Sequence, residues 1–244
     1  MIKKVTDSDE LSGVLSPLLP LISADFEFNN TETDGLYVQR NGENKVTSVF
    51  SLKNSCVTLA AVDNAVDTEE LNQFFTFLSV DSCLSDSDIF TDNCKALPLL
   101  CGDTGSAEKT GTVKLDEYSR LCEYEAAYSL LNDNGNNFPQ WFAVASKKIN
   151  SKKSVLVYMS ENNVPVSVAM ATAVYNNTAI ISGVFTRADC RGKGFASKCV
   201  SSLLSELNAM GVVSAYLWCE KHNLPFYERL GFSACGNVFV REGF

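Results

Sequence analysis

The sequence predicts a mixed α/β (α+β) protein with two domains, and three observations carry that prediction. Residues 111–244 show helical and alternating patterns in the order helix, helix, three strands, helix, strand, short helix, strand. Residues 1–110 show a smaller set of the same patterns around a three-strand meander. The stretch CGDTGSAEKTG (101–111) is rich in Gly, Ser and Thr and is typical of a linker or long loop. We therefore expect an N-terminal α+β domain over 1–110 and a second domain over 111–244.

In the N-terminal part, each predicted element has its own signal. Residues 11–23 have helical spacing, but two prolines inside this stretch predict a short or broken helix. Residues 36–62 alternate between apolar and polar types and contain Asn-Gly and Lys-Asn turn signals, which predicts a three-strand meander. Residues 68–79 place apolar side chains on one helical face behind a Thr68 cap. This part shows no catalytic motif.

In the second part, three strands of an antiparallel meander are predicted to follow two helices. The next helix has one apolar face, and Gly211 is its expected C-cap. The predicted elements are helices at 116–133 and from about Asn137 to 150, strands at 154–160, 164–175 and 178–186, a helix from 195, a strand at 212–219, a short helix at 224–230 and a strand at 233–242.

The composition argues against several classes of function. The chain of 244 residues has a net charge of −9; residues 1–110 hold 7 Lys+Arg against 18 Asp+Glu, and residues 111–244 hold 13 against 11. An acidic first half argues against nucleic acid as a partner. The richest apolar run, 164–174, is about half the length that a membrane helix needs, and no apolar stretch follows the two lysines near the start. Neither a membrane partner nor a secretory signal is therefore expected.

Nine cysteines and a single histidine, His222, limit the redox and metal chemistry. The cysteine count is odd and no pair has C-x-x-C spacing, so the sequence predicts neither a disulfide framework nor a metal site. Reduced thiols of this kind are typical of the cytoplasm, where we expect the protein.

A short stretch rich in glycine and positive charge, RGKGFA (191–196), stands at the start of a predicted helix. Successive N–H groups at a glycine-rich helix start form an anion-binding nest, which the helix dipole reinforces. Gly192 and Gly194 permit the backbone angles and the close approach that such a nest requires. Arg191 and Lys193 add positive charge. The stretch therefore predicts a phosphate-binding site, and the alternative is a glycine-rich turn on a basic surface.

Two familiar nucleotide-binding motifs do not fit this stretch. A Walker P-loop would need glycine at Arg187 and a magnesium-binding Ser or Thr at Gly194. The Rossmann fingerprint would need its third glycine at Ser197 and should follow a strand directly. Binding of a nucleotide such as ATP is therefore disfavoured.

A third motif does fit. RGKGFA matches Q/R-x-x-G-x-G/A, and with Asn223, Tyr227 and Leu230-Gly231-Phe232 behind it, residues 181–232 resemble the GNAT acyltransferase superfamily, especially its FR47-like branch. The preceding helices and meander extend the resemblance over about 112–180. It implies a GNAT acyl-CoA N-acyltransferase fold with a mixed, mostly antiparallel sheet. The order of elements in 1–110 resembles a degenerate copy of the same fold, as in two-domain relatives, although nothing like RGKGFA occurs there.

The resemblance implies an acyl-CoA, usually acetyl-CoA, as cosubstrate, held between the strands AIISGVFT and SAYLWC. Gly183 is the expected position of a β-bulge that frees main-chain N–H groups for the thioester and pantetheine carbonyls; relief of crowding in a core strand is its alternative role. The residues expected to bind the cofactor are Val184, Phe185, Thr186, Arg191, Gly192, Lys193, Gly194, Phe195, Ala196 and Asn223. For Asn223, capping of the short helix is an equal alternative.

The resemblance also assigns catalytic roles. Tyr227 stands where the family commonly has its general acid, with a core aromatic as the alternative. The family's usual carboxylate is missing from TAIISGVFT. Glu220 is the candidate base. Two alternatives stay open: Glu220 is only a solvated surface residue, or a chain of water molecules acts as the base. His222 is expected to be exposed, and Cys190 and Cys219 receive no nucleophilic role because no partner activates them.

The function that the resemblance implies is N-acetyl transfer from acetyl-CoA to a primary amine, by direct attack without a covalent enzyme intermediate. The acceptor is a small molecule or a peptide; the acidic first domain favours a cationic one, and a homodimer is left open. The alternative is a non-catalytic module that binds or senses acyl-CoA. The missing strand carboxylate favours the module, and the retained Tyr227 favours catalysis.

Overall fold

The computed structural model describes residues 1–28, 34–90, 92–105, 107–108, 110–131 and 137–244, and within these ranges the chain is a mixed α/β protein. The strands are β1 (Ile2–Val5), β2 (Gly35–Arg40), β3 (Val46–Lys53), β4 (Cys56–Ala61), β5 (Ser82–Ser85), β6 (Cys94–Asp103), β7 (Val113–Lys114), β8 (Val155–Glu161), β9 (Val164–Tyr175), β10 (Thr178–Thr186), β11 (Ser214–Trp218) and β12 (Ser233–Glu242). The helices are α1 (Leu19–Phe28), α2 (Thr68–Phe77), α3 (Leu121–Leu131), α4 (Phe138–Asn150), α5 (Phe195–Ala209) and α6 (Leu224–Glu228).

The chain forms two compact units. Unit 1 consists of Met1–Leu100, Trp218–Leu224 and Ala234–Phe244, and unit 2 consists of Cys101–Leu217 and Pro225–Ser233. The C-terminal strand β12 therefore contributes to unit 1, although the sequence segment before it belongs mainly to unit 2. A domain boundary after residue 110 stays a prediction.

Unit 1 has a sheet in the order β1-β2-β3-β4-β5-β12. The neighbours β2, β3 and β4 are antiparallel, as the meander predicted over 36–62 requires, whereas β5 lies parallel to β4 and β12 runs antiparallel to β5. An aromatic cluster forms the core, with Phe50 and Phe75 fully buried and their rings 5.3 Å apart in an edge-to-face arrangement. Apolar burial of this kind is the main force that holds such a unit together.

Unit 2 repeats the same connectivity with a sheet in the order β11-β10-β9-β8-β7. Strands β8, β9 and β10 form the second predicted meander, and β11 returns parallel to β10 after α5. Its core packs α3 and α4 against the sheet through Tyr124, Leu156 and Val168, among others. Each unit thus has three antiparallel strands, a helix and a parallel strand beside the third. The predicted α/β fold with a mostly antiparallel sheet is confirmed.

Several local predictions needed correction. The cap of α2 is Asp67 and not Thr68, because the Asp67 carboxylate accepts the N–H of Glu70 at 2.9 Å. The helix predicted at 116–133 begins only at Leu121, and its last two residues lie outside the described ranges. The stretch taken as a linker begins inside β6, which ends at Asp103. Strands β1 and β5 were not predicted, since both are only four residues long.

Four helices end in the same hydrogen-bonded motif. In α5, the N–H of Val212 donates to the Leu207 carbonyl at 3.1 Å and the N–H of Gly211 donates to the Asn208 carbonyl at 2.9 Å. This pair of bonds is a Schellman motif, and it needs a left-handed residue directly after the C-cap. The left-handed residues are Ser79 after α2, Lys152 after α4, Gly211 after α5 and Gly231 after α6. The C-cap of α5 is Met210 and not the predicted Gly211, which follows it as the left-handed residue of the motif.

Candidate functional site

The glycine-rich stretch forms an open backbone nest at the start of α5. Gly192 and Gly194 have φ angles of 77° and 79°, in the left-handed region, and Gly194 is the N-cap of the helix. The first helical hydrogen bond runs from Lys198 N to Gly194 O at 3.1 Å, so the N–H groups of the first turn have no helical partner. Gly194 also has no side chain with which to cap them. These N–H groups are therefore available to an anion.

Side chains around the nest carry a net positive charge. Arg191 donates from Nε to the carbonyl of Thr186 at 3.1 Å, and no carboxylate among the described residues pairs with it. Lys193 lies 3.5 Å from a Glu161 carboxylate oxygen, and both side chains are about half exposed, so this pair contributes little and can open. Arg187 and Asp189 form a two-point ion pair nearby.

Strand β10 contains the expected bulge. Its register against β9 shifts between Ser182 and Phe185, and Gly183 has a φ of 73°. A Cβ atom at Gly183 would lie 2.7 Å from Cδ2 of Leu131 on α3, which is too close for any real contact. The end of the Leu131 side chain can move aside, but the left-handed φ still favours glycine, so the bulge depends on this residue through its backbone.

Beyond the bulge, no strand of the described residues pairs with one edge of β10. The ladder between β10 and β11 covers only Thr178–Ile180 against Ser214–Tyr216 in the described chain. On the other edge, the N–H of Arg187 donates to the Val166 carbonyl at 3.0 Å. Since main-chain groups alternate between the two edges of a strand, those of Thr186 and of Val184 face the unpaired edge.

The side chains of this segment hold β10 in place. The Thr186 hydroxyl lies 2.8 Å from the Ser167 hydroxyl on β9, and Phe185 packs against the core of unit 2. A cavity of about 470 Å³ adjoins the segment, lined by Ser129 and Leu130 of α3, Phe185, Arg191 and the Arg187–Asp189 pair, among others. The nest, the bulge and this cavity thus belong to one region of unit 2.

The LGF sequence has a clear structural role beside Tyr227. The N–H of Phe232 donates to the Tyr227 carbonyl at 3.1 Å, and Gly231, at φ 88°, supplies the left-handed residue of the Schellman motif. Phe232 is 3% exposed, and its ring lies 5.9 Å from the half-buried Tyr227 ring, edge to face. Gly102 of β6 faces that ring so closely that a Cβ atom would lie 2.8 Å from it. Phe232 therefore anchors α6 and Tyr227 in unit 2.

Comparison with known proteins decides the family of this region. Residues 118–232 match the acetyltransferase (GNAT) family model. These residues form a GNAT acetyltransferase domain. The predicted resemblance is thereby confirmed, while the FR47-like branch stays a prediction.

Solved structures resemble the whole chain and not only the GNAT domain. A GCN5-related N-acetyltransferase from Kribbella flavida superposes with a TM-score of 0.66 at 15% identity, over 95% of this chain and 96% of that one. Another from Sphaerobacter thermophilus gives 0.62 at 11% identity, over 99% and 95%. A tandem GNAT protein from the clavulanic acid biosynthesis pathway gives 0.62 at 10% identity, over 99% and 98%. These likenesses concern the fold.

Two predicted site residues lie outside unit 2. Glu220 and Asn223 belong to Trp218–Leu224, a segment of unit 1. Lys95 donates to the Glu220 carboxylate at 2.5 Å, and this hydrogen bond and the Lys95 charge hold the pKa of Glu220 below its ordinary value. Asn223 is exposed, and its N–H donates to the Glu220 carbonyl at 2.9 Å. It precedes α6 at the end of a 3₁₀ turn, and His222 in the same turn is exposed, as expected.

All nine cysteines are free thiols, and two lie in the segments that flank the predicted site. Burial, and then the charge of Asp189, raises the pKa of Cys190. Burial, and then the charge of Glu220, raises the pKa of Cys219. Both thiols therefore stay protonated near neutral pH, which agrees with their having no nucleophilic role.

The described part of the chain contains neither a metal-binding group of side chains nor a helix that could span a membrane. No three His, Cys, Asp or Glu side chains there are grouped closely enough to hold a metal ion. No helix in those ranges is long and apolar enough to span a membrane.

Sequence patterns did not point to Leu131, Asp189 or Gly102 as residues of this region. The end of the Leu131 side chain lies where a Cβ atom at 183 would stand, and Gly102 makes room for Phe232. Each acts through a partner distant in sequence, so no local signal could have found it. The Arg187–Asp189 pair had a weak signal, as opposite charges two residues apart directly before RGKGFA.

Proposed function

We propose that the chain is an N-acetyltransferase that transfers the acetyl group of acetyl-CoA to a primary amine. Membership of the GNAT family supports acyl transfer in general. The observation that carries the finer proposal is the open nest of Gly192 and Gly194 at the start of α5, beside the unpaired edge of β10. The nest is open to an anion such as a diphosphate, because a Cβ atom at either glycine would meet nothing within 4 Å.

The residues proposed to hold the cosubstrate are those that the family resemblance indicates. The main-chain N–H groups of 192–196, with Arg191 and Lys193, would bind the pyrophosphate. The main-chain N–H groups of Val184 and Thr186, on the unpaired edge, would bind the pantetheine arm and the thioester, whereas the main-chain groups of Phe185 face β9, so Phe185 would contribute its side chain alone. The resemblance assigns a side-chain amide contact to Asn223. When bound, acetyl-CoA supplies an activated acyl carbonyl.

The chemistry left to the chain is proton transfer and stabilisation of charge. The attacking amine must lose a proton, and the departing thiolate must gain one. We assign the second task to the Tyr227 hydroxyl, because Phe232 and the end of α6 fix this side chain. Main-chain N–H groups freed by the bulge at Gly183 would stabilise the oxyanion of the transition state. Glu220 is the proposed base, although the lowered pKa that Lys95 imposes makes it a weak one.

Thermal unfolding tests the binding step. Acetyl-CoA at about 100 times its dissociation constant should add about 2.7 kcal/mol to the free energy of unfolding. Free CoA should also stabilise the protein, and ATP should not. If none of the three raises the melting temperature, the nest is not a working acyl-CoA site.

Substitution of Tyr227 by Phe tests the catalytic step. Loss of a general acid typically lowers the rate by about 10²–10⁴-fold. The rate of acetyl transfer to a panel of amines, measured by mass spectrometry, should therefore fall by a factor in that range. Stabilisation by acetyl-CoA should be unchanged, because the hydroxyl is not part of the nest. Wild-type protein that binds acetyl-CoA but acetylates no amine would favour the binding or sensing module, which the weak base at Glu220 also supports.

Unit 1 has the same connectivity, yet its own side chains occupy the counterpart of this site. The Asp67 carboxylate caps α2, and Glu69 and Glu70 stand in its first turn, where negative charge repels an anion. At the end of β4, the Ala61 N–H donates to Asp86 at 3.0 Å. We therefore propose a single acyl-CoA site per chain, in unit 2.

The same proposal covers the cellular compartment and the acceptor amine. The nine free thiols support a reducing compartment, and we propose the cytoplasm. The acceptor is a small-molecule or peptide amine, and the acidity of residues 1–110 favours a cationic one.

A further inference from the structure

The helix α5, whose start forms the nest, is held by contacts on two sides. On one side, it packs its apolar residues on β8, β9 and β10. On another side, it is contacted at Lys198, Ser202 and Glu206, which are spaced four residues apart and therefore lie along one face. These contacts come from Thr110, which lies between β6 and β7, and from Lys114 of β7. A residue of the stretch interpreted as a linker is thus bound to the helix that carries the nest.

Thr110 makes several hydrogen bonds to this helix. Its hydroxyl donates to the Lys198 carbonyl at 2.9 Å, and its N–H donates to the Ser202 hydroxyl oxygen at 2.9 Å. The Ser202 hydroxyl donates in turn to the Thr110 carbonyl at 3.3 Å. Ser202 is 1% exposed, and within the described ranges its hydroxyl bonds to Thr110 alone. Because a buried hydroxyl without a partner is costly, these bonds hold Thr110 and α5 together.

This attachment lies one turn from the nest. Lys198 is the residue whose N–H makes the first helical bond, to the Gly194 carbonyl at 3.1 Å. Four residues correspond to about 6 Å along the helix axis, so the Thr110 hydroxyl bonds to the turn that directly follows the free N–H groups. Gly194 has no side chain that could fix this helix start from within. The position of the free N–H groups therefore depends on contacts from outside the helix.

We propose that Thr110 is a positioning residue, which holds the first turn of α5 where its N–H groups converge on the diphosphate of acyl-CoA. This inference rests on the proposed acyl-CoA site. Several N–H groups must meet one anion at once, so a small displacement of the helix start weakens all of these contacts. If fewer molecules hold the competent arrangement, the apparent dissociation constant rises by the same factor. The competing explanation is that the bonds stabilise the fold and have no effect on the ligand.

Thr110→Val tests the proposal, because valine keeps the shape of threonine and replaces only the hydroxyl by a methyl group. Thr104→Val is the matched control: the Thr104 hydroxyl donates to the Val212 carbonyl at 2.6 Å, beyond the opposite end of α5. Thr110→Ser retains the hydroxyl and should therefore retain binding. Calorimetric titration gives the dissociation constant of acetyl-CoA for the wild type and the three variants, and melting curves without ligand give their stability.

Thr110→Val should raise the dissociation constant about three- to tenfold, the effect that loss of one hydrogen bond typically has on an equilibrium, and Thr110→Ser should stay near the wild type. Thr104→Val should lower the melting temperature at least as much as Thr110→Val, because its hydroxyl bond is buried, and should bind acetyl-CoA as the wild type does. If the wild type binds acetyl-CoA and Thr110→Val binds it as tightly as the Thr104→Val control, positioning by Thr110 is wrong and the acyl-CoA site stands. If the wild type binds no acetyl-CoA, the proposed site fails, and this inference fails with it.

Discussion

Replacing Gly102 by Ala should destabilise the protein through one buried contact. Gly102 is buried in β6, and a Cβ atom there would lie 2.8 Å from Cδ1 and Cε1 of Phe232 and 3.0 Å from its Cγ. Phe232 is 3% exposed and packs edge to face with Tyr227, so its ring has little room to move away. The strain must be taken up by displacement of β6 or of the LGF segment.

The magnitude follows from two opposing effects. Overpacking a core with an extra methyl group typically costs about 1–3 kcal/mol. Gly102 does not have a left-handed backbone, so alanine also recovers about 0.4–1 kcal/mol by restricting the unfolded chain. The net loss should be about 1–2 kcal/mol, which lowers the melting temperature by about 2–8 °C in a chain of this size.

Calorimetry of Gly102→Ala beside Gly236→Ala checks this reasoning. Gly236 also lies inside a long strand, β12, but a Cβ atom there would meet nothing within 4 Å. Gly236→Ala should therefore keep the wild-type stability or gain up to about 1 kcal/mol. If Gly102→Ala is as stable as this control, the Phe232 ring does not need the space that glycine leaves, and the account of the LGF segment fails.

Three further predictions concern the nest, the base and the stoichiometry. Gly194→Ala puts a side chain at a φ of 79°, which costs about 1–2 kcal/mol; melting curves should show lower stability and a smaller acetyl-CoA effect. Lys95→Met removes the cation that lowers the pKa of Glu220, so that pKa should rise toward its ordinary value. If Glu220 is the base, the acid limb of the pH–rate profile moves to higher pH with it, and an unmoved limb rejects that role. Calorimetric titration should find one acetyl-CoA per chain. A stoichiometry of two would show that unit 1 also binds acetyl-CoA.

Predictions that rest on local pattern were the most successful. Alternation over 36–62 and over 154–186 predicted two meanders, and the structure has both. The RGKGFA nest was predictable for the same reason, since two glycines before an apolar helical face specify a helix start within six residues. The cap of α2 was misplaced by one position, because Thr68 and Asp67 are both good capping residues and only geometry separates them.

Contacts between distant residues could not be predicted. Gly102 was interpreted as part of a linker because Gly, Ser and Thr surround it, and only its burial beneath Phe232 shows that it belongs to a strand. The Lys95–Glu220 pair joins residues 125 positions apart and changes the proton affinity of a predicted base. The position of β12 in unit 1 depends on pairing with β5, which no local signal records.

The two units differ in how the N–H groups at an equivalent helix start are satisfied, and this difference bears on function. The start of a helix after the third meander strand leaves several N–H groups without partners. In unit 1, Asp67 satisfies part of this demand from within the chain, and Asp86 does the same for the Ala61 N–H of the neighbouring strand. In unit 2, Gly194 supplies no cap, and β10 keeps an unpaired edge. A carboxylate at a helix start adds about 0.5–2 kcal/mol to the free energy of unfolding. Unit 2 lacks this contribution, and a bound anion can supply it. The helix start of unit 2 is therefore open to an external anion at the position where unit 1 supplies its own carboxylate.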